Sequence, residues 1–563
     1  MTPRRISVVA SEILGVSGTG GPGTADTFLA IALARRGHDV ELLVAPGRDV
    51  ARLEPEWQAR YAAAGVRVRP LDDDGSIRPS FLAPAARVYD ALREDPPDVV
   101  VADDWRALPY GALSARRLGE AFLGTAFVLY SHGPARVFAA AARKVPDTVE
   151  RFGEEVAQRA CAALADAVAS PSAWLLEWLR RHRWALPARA QVIQNLWQST
   201  ALGEPLEPVP AGAVRRIAFF GHLREGKGLR VFVEALQKID PELLEDAEIV
   251  FVGHTRRWSP ADITEMLGAR VTQRVAVRFE TALGRAGAIE ELRRPGTLAV
   301  MPSLLENSPY AVAECLEHGI PFIAADVGGT PELVAEVDRA RVLVPPTAEA
   351  FAHAVARSLA ADIVEPAVPA RSPEESLADW LALMEEIRPA VRPVAAAGDA
   401  VLWSEAGVVA DDALHPTLER ALAASGADAV TCAVRTAQGR RLFLGDPGPL
   451  GLIENHYGVV GLVRRERAGA VEPGDSAWVS FARLATSGAR ILSLPEPLAT
   501  YAERQPTGVE RLAVLEAFEH AAPETLRELP QLTATMAAAG ARTDGAHAAP
   551  RSRLRRLLRL GSS

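Results

Sequence analysis

Short apolar runs alternate with longer stretches of helical period through the first two thirds of the chain. Ile6–Ala10, Val40–Val44, Val66–Val68, Val99–Ala102, Phe127–Tyr130, Ala167–Ala169 and Gln191–Ile193 predict buried strands. Between them, Thr24–Arg36, Ala107–Leu118 and Thr148–Leu164 predict helices, the first closed by Gly37. The pattern resumes with strands at Arg216–Phe220, Ile249–Val252, Val275–Phe279, Leu298–Met301, Pro321–Ala325 and Val342–Val344, and with a helix from Leu229. Pro309 opens a helix to about His318, with Gly319 just past its end, and a further helix starts at Glu332. Ser372 and Glu375 form a capping-box start for a helix to Ile387. Such alternation predicts an α/β fold of doubly wound parallel sheets, whose ligands sit at the carboxyl ends of the strands.

Proline- and glycine-rich stretches at Gly203–Gly212 and Pro389–Gly398 divide the chain. The expected units are an N-terminal lobe at 1–200, a second lobe at 201–390, a partial α/β module at 391–535 and a tail at 536–563. In the third unit, Val401–Trp403 and Ala429–Val434 read as strands. With 563 residues the chain exceeds a single core.

Composition narrows the function. A net charge of −9 leaves no footprint for general nucleic-acid binding. Cys161, Cys315 and Cys432 lie far apart, with no metal-ligand spacing, and read as reduced thiols, so a cytoplasmic protein is expected. The apolar run after Arg4 and Arg5 is too short for a signal peptide, and no run approaches a membrane span. Arginine dominates the cations; Lys144, Lys227 and Lys238 are the lysines. Arg551–Leu560 sets Arg555, Arg556 and Arg559 against Leu554, Leu557 and Leu558. This basic amphipathic pattern suits either an anionic membrane surface or a frayed tail.

Candidate chemistry concentrates between 297 and 334. Glu306 lies at the mouth of the polar loop Pro302–Ser308, and Glu314 lies in a helix among Ala311, Val312, Ala313, Cys315 and Leu316. A carboxylate in so apolar a helix needs a partner, and one such partner is a ligand hydroxyl. Upstream, Gly221-His222-Leu223-Arg224-Glu225-Gly226-Lys227-Gly228 joins a strand to a helix. Glycines admit close backbone approach, and Lys227 stands at the positive helix end, which suits a diphosphate. Gly18-Thr19-Gly20-Gly21-Pro22-Gly23 formally matches a dinucleotide fingerprint. Its first glycine follows the strand too late, Pro22 removes an amide, and no acid ends the second strand. It reads instead as a loop facing a cleft, with amides for an anion. His132 follows a strand directly and should point into the same cleft, either as a ligand contact or as a structural histidine; Asp103-Asp104-Trp105 reads as a solvated acidic loop rather than as a binder of acceptor hydroxyls.

Glu306-Asn307-Ser308-Pro309-Tyr310-Ala311-Val312-Ala313-Glu314, then Gly319-Ile320-Pro321-Phe322 and Gly328-Gly329-Thr330-Pro331-Glu332, resemble the donor-site signature of the GT-B retaining glycosyltransferases of family 4. The resemblance spans about residues 5–390. It implies that Glu314 holds a donor ribose, that Glu306 lies against the transferred sugar, that Lys227 is the phosphate-binding lysine and that His132 touches sugar or acceptor. Glu306, Lys227 and His132 are the expected catalytic set. Gly21, Gly23, Gly221, Arg224, Lys227, Asn307, Ser308, Pro309, Tyr310 and Glu314 are the expected donor-binding set. No metal and no cofactor are expected beyond a nucleotide-diphosphate sugar as co-substrate. The acceptor, whether saccharide, glycolipid or small metabolite, stays open. His222 departs from the family's usual arginine, and Arg224 is the expected replacement. A terminal helix crossing back to the first lobe is also implied. The alternatives are a GT-B nucleotide-sugar epimerase and a non-catalytic sugar-binding or scaffold protein.

Beyond 390, Asn455-His456-Tyr457-Gly458, Gly474-Asp475-Ser476-Ala477-Trp478 and Leu494-Pro495-Glu496-Pro497-Leu498 resemble the second half of a family 2 GT-A glycosyltransferase. Val409-Ala410-Asp411-Asp412 resembles its metal-binding region with the leading acid lost. This implies a remnant used for stability, acceptor positioning or assembly.

Overall fold

The computed structural model describes residues 2–16, 20–47, 53–141, 148–203, 209–255, 258–390, 398–470, 474–521, 526 and 528–543. The tail segment Arg551–Leu560, Gly18 and Thr19 of the glycine loop, and residues 204–208 and 391–397 of the predicted linkers lie outside them.

In the first 200 residues the strands are β1 (Arg5–Ala10), β2 (Asp39–Val44), β3 (Val66–Pro70), β4 (Ile77–Arg78), β5 (Val99–Asp103), β6 (Ala126–Tyr130), β7 (Ala167–Ser170) and β8 (Ala190–Val192). All but β4 form one sheet in the order β3-β2-β1-β5-β6-β7-β8, and its pairings are parallel. β9 (Arg216–Phe220), β10 (Glu248–Val252), β11 (Ala276–Glu280), β12 (Thr297–Met301), β13 (Phe322–Ala325) and β14 (Leu343–Val344) form a second parallel sheet, ordered β11-β10-β9-β12-β13-β14. The strands are nearly continuous apolar runs because helices cover both faces. In each sheet the order reverses beside the first strand, so a crevice opens where β1 and β9 end.

The predicted capping box forms: Ser372 accepts from the Glu375 amide, and Glu375 accepts from the Ser372 amide, starting the helix Pro373–Glu386. Its Leu377, Trp380, Leu383 and Met384 are buried in the core of the first lobe. Two predicted starts shift. Pro309 is the cap rather than the first residue of the helix Tyr310–His318. Glu332 lies within a 3-10 turn, Thr330–Leu333, and the next α-helix begins at Glu336. The helix expected from Ala107 begins at Tyr110, because Arg106 and Ala107 take positive φ angles of 61° and 52°.

Beyond residue 398, β15 (Ala400–Ser404), β16 (Val408–Ala410), β17 (Ala429–Thr436), β18 (Gly439–Arg441), β19 (Val460–Arg464) and β20 (Ile491–Tyr501) build a mixed sheet. That sheet recruits β4 from the first lobe: Arg440 and Arg441 pair in parallel with Ile77 and Arg78. Ala433, Leu442, Leu444, Leu450 and Leu532 are buried in one core with Leu82, Tyr89, Leu108 and Phe127 of the first lobe. Arg440 forms a two-pronged ion pair with Asp90, at 2.9 and 2.6 Å, and Tyr110 donates to the Leu444 carbonyl at 2.9 Å. The third module therefore shares a core with the first lobe.

Gly439 is the tight point of this seam. Its φ is +116°, and a Cβ there would lie 1.9 Å from the Ser76 carbonyl oxygen. Gly439→Ala is expected to destabilise the protein by roughly 1–3 kcal/mol from backbone conformation alone. Urea unfolding measures this, and an unchanged midpoint would mean that the β4–β18 seam contributes nothing.

Candidate active site

A cleft of about 370 Å³ lies between the lobes, at the carboxyl ends of both sheets. Of the predicted residues, Gly21, His132, Gly221, Arg224, Lys227, Glu306, Asn307, Ser308, Pro309, Tyr310 and Glu314 line it. Gly23 does not. It is buried against Glu12, whose carbonyl oxygen would lie 2.7 Å from a Cβ at that position, so its lack of a side chain serves packing.

The loop from β9 to the helix Leu229–Lys238 is shaped by glycine. Gly228 has φ +72°, and a Cβ would lie 1.7 Å from the Pro302 carbonyl oxygen. That approach sets Lys227 beside the loop after β12, where its Nζ forms an ion pair with Glu306. Arg224 is exposed at the rim of the cleft. Residues 328 and 329 lie flat on the Glu306–Asn307 backbone. A Cβ on Gly328 would meet the Glu306 carbonyl oxygen at 1.8 Å, and one on Gly329 the Asn307 carbonyl oxygen at 1.9 Å. The Gly329 amide donates to the Glu306 carbonyl at 3.0 Å.

Glu314 is 7% exposed. Burial pushes its carboxyl above the usual range, and Arg285 opposes that shift with an ion pair at 3.0 Å. Arg285 begins the helix Arg285–Leu292, and its guanidinium lies 4.9 Å from the Phe28 ring centroid and 5.6 Å from that of Tyr310. Sequence reasoning missed Arg285. The signal was the demand of Glu314 for a partner, but nothing local named an arginine so far upstream.

Several contacts hold the lobes together around the cleft. The Asn307 side chain donates to the His132 carbonyl at 3.0 Å and accepts from the Ser172 hydroxyl. Glu332 accepts from the Ala173 and Trp174 amides, at 2.7 and 2.8 Å, at the start of the helix Ala173–Arg181. The Tyr310 hydroxyl donates to the Leu196 carbonyl at 3.1 Å.

Asp103 and Asp104 are buried, at 0% and 2% exposure, which corrects the expectation of a solvated loop. Hydrogen bonds explain the difference. Asp104 accepts from the Ser131 hydroxyl at 2.6 Å and from the His132 and Gly133 amides at 3.1 and 3.2 Å. Asp103 accepts from the Ser11 amide at 3.1 Å. Asp104 thus shapes the His132 turn. Asp26, on the helix Gly21–Arg35, is also buried, with neither carboxylate oxygen hydrogen-bonded. Burial pushes the Asp26 and Asp103 carboxyls well above the usual range; repulsion from Glu12 and Asp104 adds to it at Asp26, and repulsion from Asp26 and Asp104 at Asp103. His132 Nε2 sits 3.9 Å from Asp26 Oδ1, and its ring packs 4.1 Å from that of Tyr130. Burial lowers the imidazole pKa to about 4, so the ring is neutral at physiological pH.

Two lobes of doubly wound parallel sheet with a ligand cleft between them define the GT-B architecture. Residues 19–196 match the family described as Glycosyltransferase Family 4, and residues 214–361 match that described as Glycosyl transferases group 1. The first two lobes therefore carry glycosyltransferase domains. No curated protein matches the chain. Among solved structures, it is similar to sucrose-phosphate synthase of Thermosynechococcus elongatus, at 18% identity over 68% of this chain and 97% of that one, with a TM-score of 0.47. HepE of Anabaena, solved with UDP and glucose, is 15% identical over 68% of this chain and all of its own, with a TM-score of 0.46. The lipopolysaccharide outer core galactosyltransferase WaaB is 15% identical over 63% of this chain and 90% of its own, with a TM-score of 0.42.

The depressed His132 pKa has a signed consequence for stability. The unfolded imidazole takes up a proton near pH 6.5, the folded one only near pH 4. As pH falls through that window the unfolded state binds more protons, so stability is lost there and not above it. His132→Asn is expected to reduce the loss of stability between about pH 7 and about pH 5. Urea unfolding at both pH values checks this, and an equal loss in the two proteins would show that the ring protonates normally.

Proposed function

We propose that the chain is a retaining glycosyltransferase that moves a sugar from a nucleotide-diphosphate sugar to an acceptor hydroxyl without a metal ion. The observation that carries this reading is the meeting of Lys227, Glu306, Glu314 and His132 around one cleft between two glycosyltransferase lobes. Glu314, held by Arg285, accepts hydrogen bonds from the ribose hydroxyls. The donor diphosphate lies against Lys227, Arg224 and the Tyr310 and Ala311 amides that open the helix Tyr310–His318.

The bond between the anomeric carbon and the diphosphate oxygen breaks, and negative charge grows on that oxygen. Lys227 answers this charge most strongly in the transition state. The acceptor oxygen attacks the anomeric carbon from the face that the diphosphate leaves, and its proton passes to the departing phosphate oxygen. Lys227 forms an ion pair with Glu306. An arriving diphosphate takes over the lysine, and Glu306 is released toward the sugar hydroxyls. The neutral His132 ring suits a hydrogen bond to a sugar hydroxyl without competing for the phosphate.

Asp411 is engaged by Arg435 and Asp475 by Arg483, which supports a third module with no part in diphosphate binding. A cytoplasmic location agrees with the free, buried thiols of Cys161, Cys315 and Cys432. Among the described residues no helix is long and apolar enough to cross a membrane. Contact with an anionic membrane through Arg551–Leu560 belongs to the same proposal, supported by the spacing of its arginines and leucines.

Purified protein incubated with a panel of nucleotide sugars, with and without acceptors, tests the reading. Donor consumption with transfer is expected; an epimerised donor and no transfer would overturn it. Transfer is expected to persist in excess chelator, and chelator-sensitive turnover would refute metal independence. Glu314→Ala is expected to weaken binding of the free nucleotide diphosphate by roughly 1.5–3 kcal/mol in calorimetry. Lys227→Ala is expected to lower kcat more than it weakens donor binding, and Glu306→Gln to lower kcat steeply. An equal loss in kcat and binding for Lys227→Ala would assign that residue to anchoring alone.

A further inference from the structure

We propose that Asp26 is a positioning residue for His132: its carboxyl O–H donates to Nε2 of the ring, so that Nδ1 carries the ring's proton and the imidazole meets the cleft as a hydrogen-bond donor. Asp26 lies on the helix Gly21–Arg35, is 1% exposed, and has no partner for either oxygen. His132 Nε2 is likewise buried without a partner, and it lies 3.9 Å from Asp26 Oδ1. Two orphaned polar atoms therefore face one another, and a movement of about 1 Å makes them a hydrogen bond. The rest of His132 is already held. Its amide donates to Asp104, its carbonyl accepts from Asn307, and its ring packs against Tyr130. The proton state of the ring is what remains to be set, and Asp26 is the group placed to set it.

Three buried aspartates meet here, and their hydrogen bonds decide which one keeps a proton. Asp104 accepts from the Ser131 hydroxyl and from two amides. Asp103 accepts from the Ser11 amide at 3.1 Å and from its hydroxyl at 3.4 Å. Such donors stabilise a carboxylate, and Asp26 has none. The other ionisable groups that act on Asp26 or feel its charge are Glu12, Asp103, Asp104, Tyr61, Tyr130 and Tyr310, with no cation among them. An isolated buried carboxylate takes up a proton rather than stay charged. The acid then has two ways to meet the neutral ring. If Nε2–H donated to the carboxyl, the acid's own O–H would be buried with no acceptor. If the O–H donates to Nε2, only a carbonyl oxygen is left unmatched, which is the less costly omission. The single N–H of the ring is then on Nδ1.

The consequence for chemistry rests on the reading of the cleft as a donor-sugar site; the proton arrangement itself does not. His132 lines the cleft, and with Nε2 buried the nitrogen left for a ligand is Nδ1. A protonated Nδ1 donates to a sugar hydroxyl oxygen and cannot take that hydroxyl's proton. The hydroxyl's own hydrogen is then free for a carboxylate such as Glu306. A ring in the other tautomer would instead draw protons from hydroxyls, and would compete with the departing phosphate oxygen for the acceptor's proton. Asp26 thus removes His132 as a base. It does so at a cost in stability, because the ionised side chain of the unfolded chain must take up a proton on folding near neutral pH. A buried acid that works against folding is expected where function, not packing, retains it.

Nuclear magnetic resonance of the full-length protein, with isotope-labelled histidine nitrogens and near neutral pH, tests the arrangement. The His132 signals are identified by their loss in His132→Asn. A proton on Nδ1 and a bare Nε2 are expected. Asp26→Asn, whose amide N–H donates in place of the carboxyl, is expected to keep that tautomer, and Asp26→Leu to lose it. With a nucleotide sugar that the wild type consumes, Asp26→Leu is expected to lower kcat about tenfold, the worth of one hydrogen bond, while affinity for UDP or ADP stays unchanged. Asp26→Asn is expected to recover most of that loss. Asp26→Leu is also expected to unfold at no lower urea concentration than the wild type; a lower midpoint would assign Asp26 to folding instead. A proton on Nε2, or on both ring nitrogens, in the wild type would overturn the inference. So would an Asp26→Asn that matches Asp26→Leu in its spectrum or its kcat. Absence of any transfer by the wild type would refute the function proposed for the cleft, and the spectrum alone would then decide the arrangement.

Discussion

The Asn307 side chain sets the width of the cleft. Its amide spans the lobes, donating to the carbonyl of His132 and accepting from Ser172, and both partners belong to turns at the carboxyl ends of first-lobe strands. Because a buried amide left unpaired costs about 1–3 kcal/mol, the two lobes cannot part locally without a penalty. Everything that faces the cleft is referenced to this bridge. Glu306 precedes Asn307 directly, Gly328 and Gly329 lie on the same backbone, and Glu332 repeats the attachment one turn further along at a helix start. The Gly-Gly-Thr-Pro-Glu motif is thus a clasp between the lobes.

The two parallel sheets were legible because their strands are short apolar runs buried on both faces, a pattern that survives without tertiary information. Helix boundaries were legible where local chemistry decides them, as at Ser372 with Glu375 and at Gly319. They shifted where it does not: the positive φ angles at Arg106 and Ala107 delay a helix that the apolar pattern would have started earlier. Lys227, Glu306 and His132 could be placed at the cleft from the chain because each lies in a connection that follows a strand, and the fold brings such positions to one edge, whereas Glu314 stood out as a carboxylate inside an apolar helix.

What stayed hidden depends on partners distant in sequence. Arg285 satisfies Glu314, Ser172 satisfies Asn307, and the Ser131–Gly133 turn satisfies Asp104. Asp103 and Asp104 look like a hydrated pair in sequence because two adjacent acids usually are. Here amides and hydroxyls from neighbouring loops replace water, and Asp26 joins them from a helix far upstream. The seam between the third module and the first lobe was equally invisible, since a two-residue strand such as β4 carries no periodic signal.

That seam bears on how the protein can be divided. An enzyme made of two lobes is a natural target for trimming to its catalytic minimum, with a cut near residue 390. Here such a cut would strip the partner from β4 and uncover the face of the first lobe now covered by Leu442, Leu444 and Leu450. An open strand edge beside freshly exposed aliphatic surface is a template for association between chains. The third module thus covers a strand edge and an aliphatic surface that the first lobe does not cover by itself.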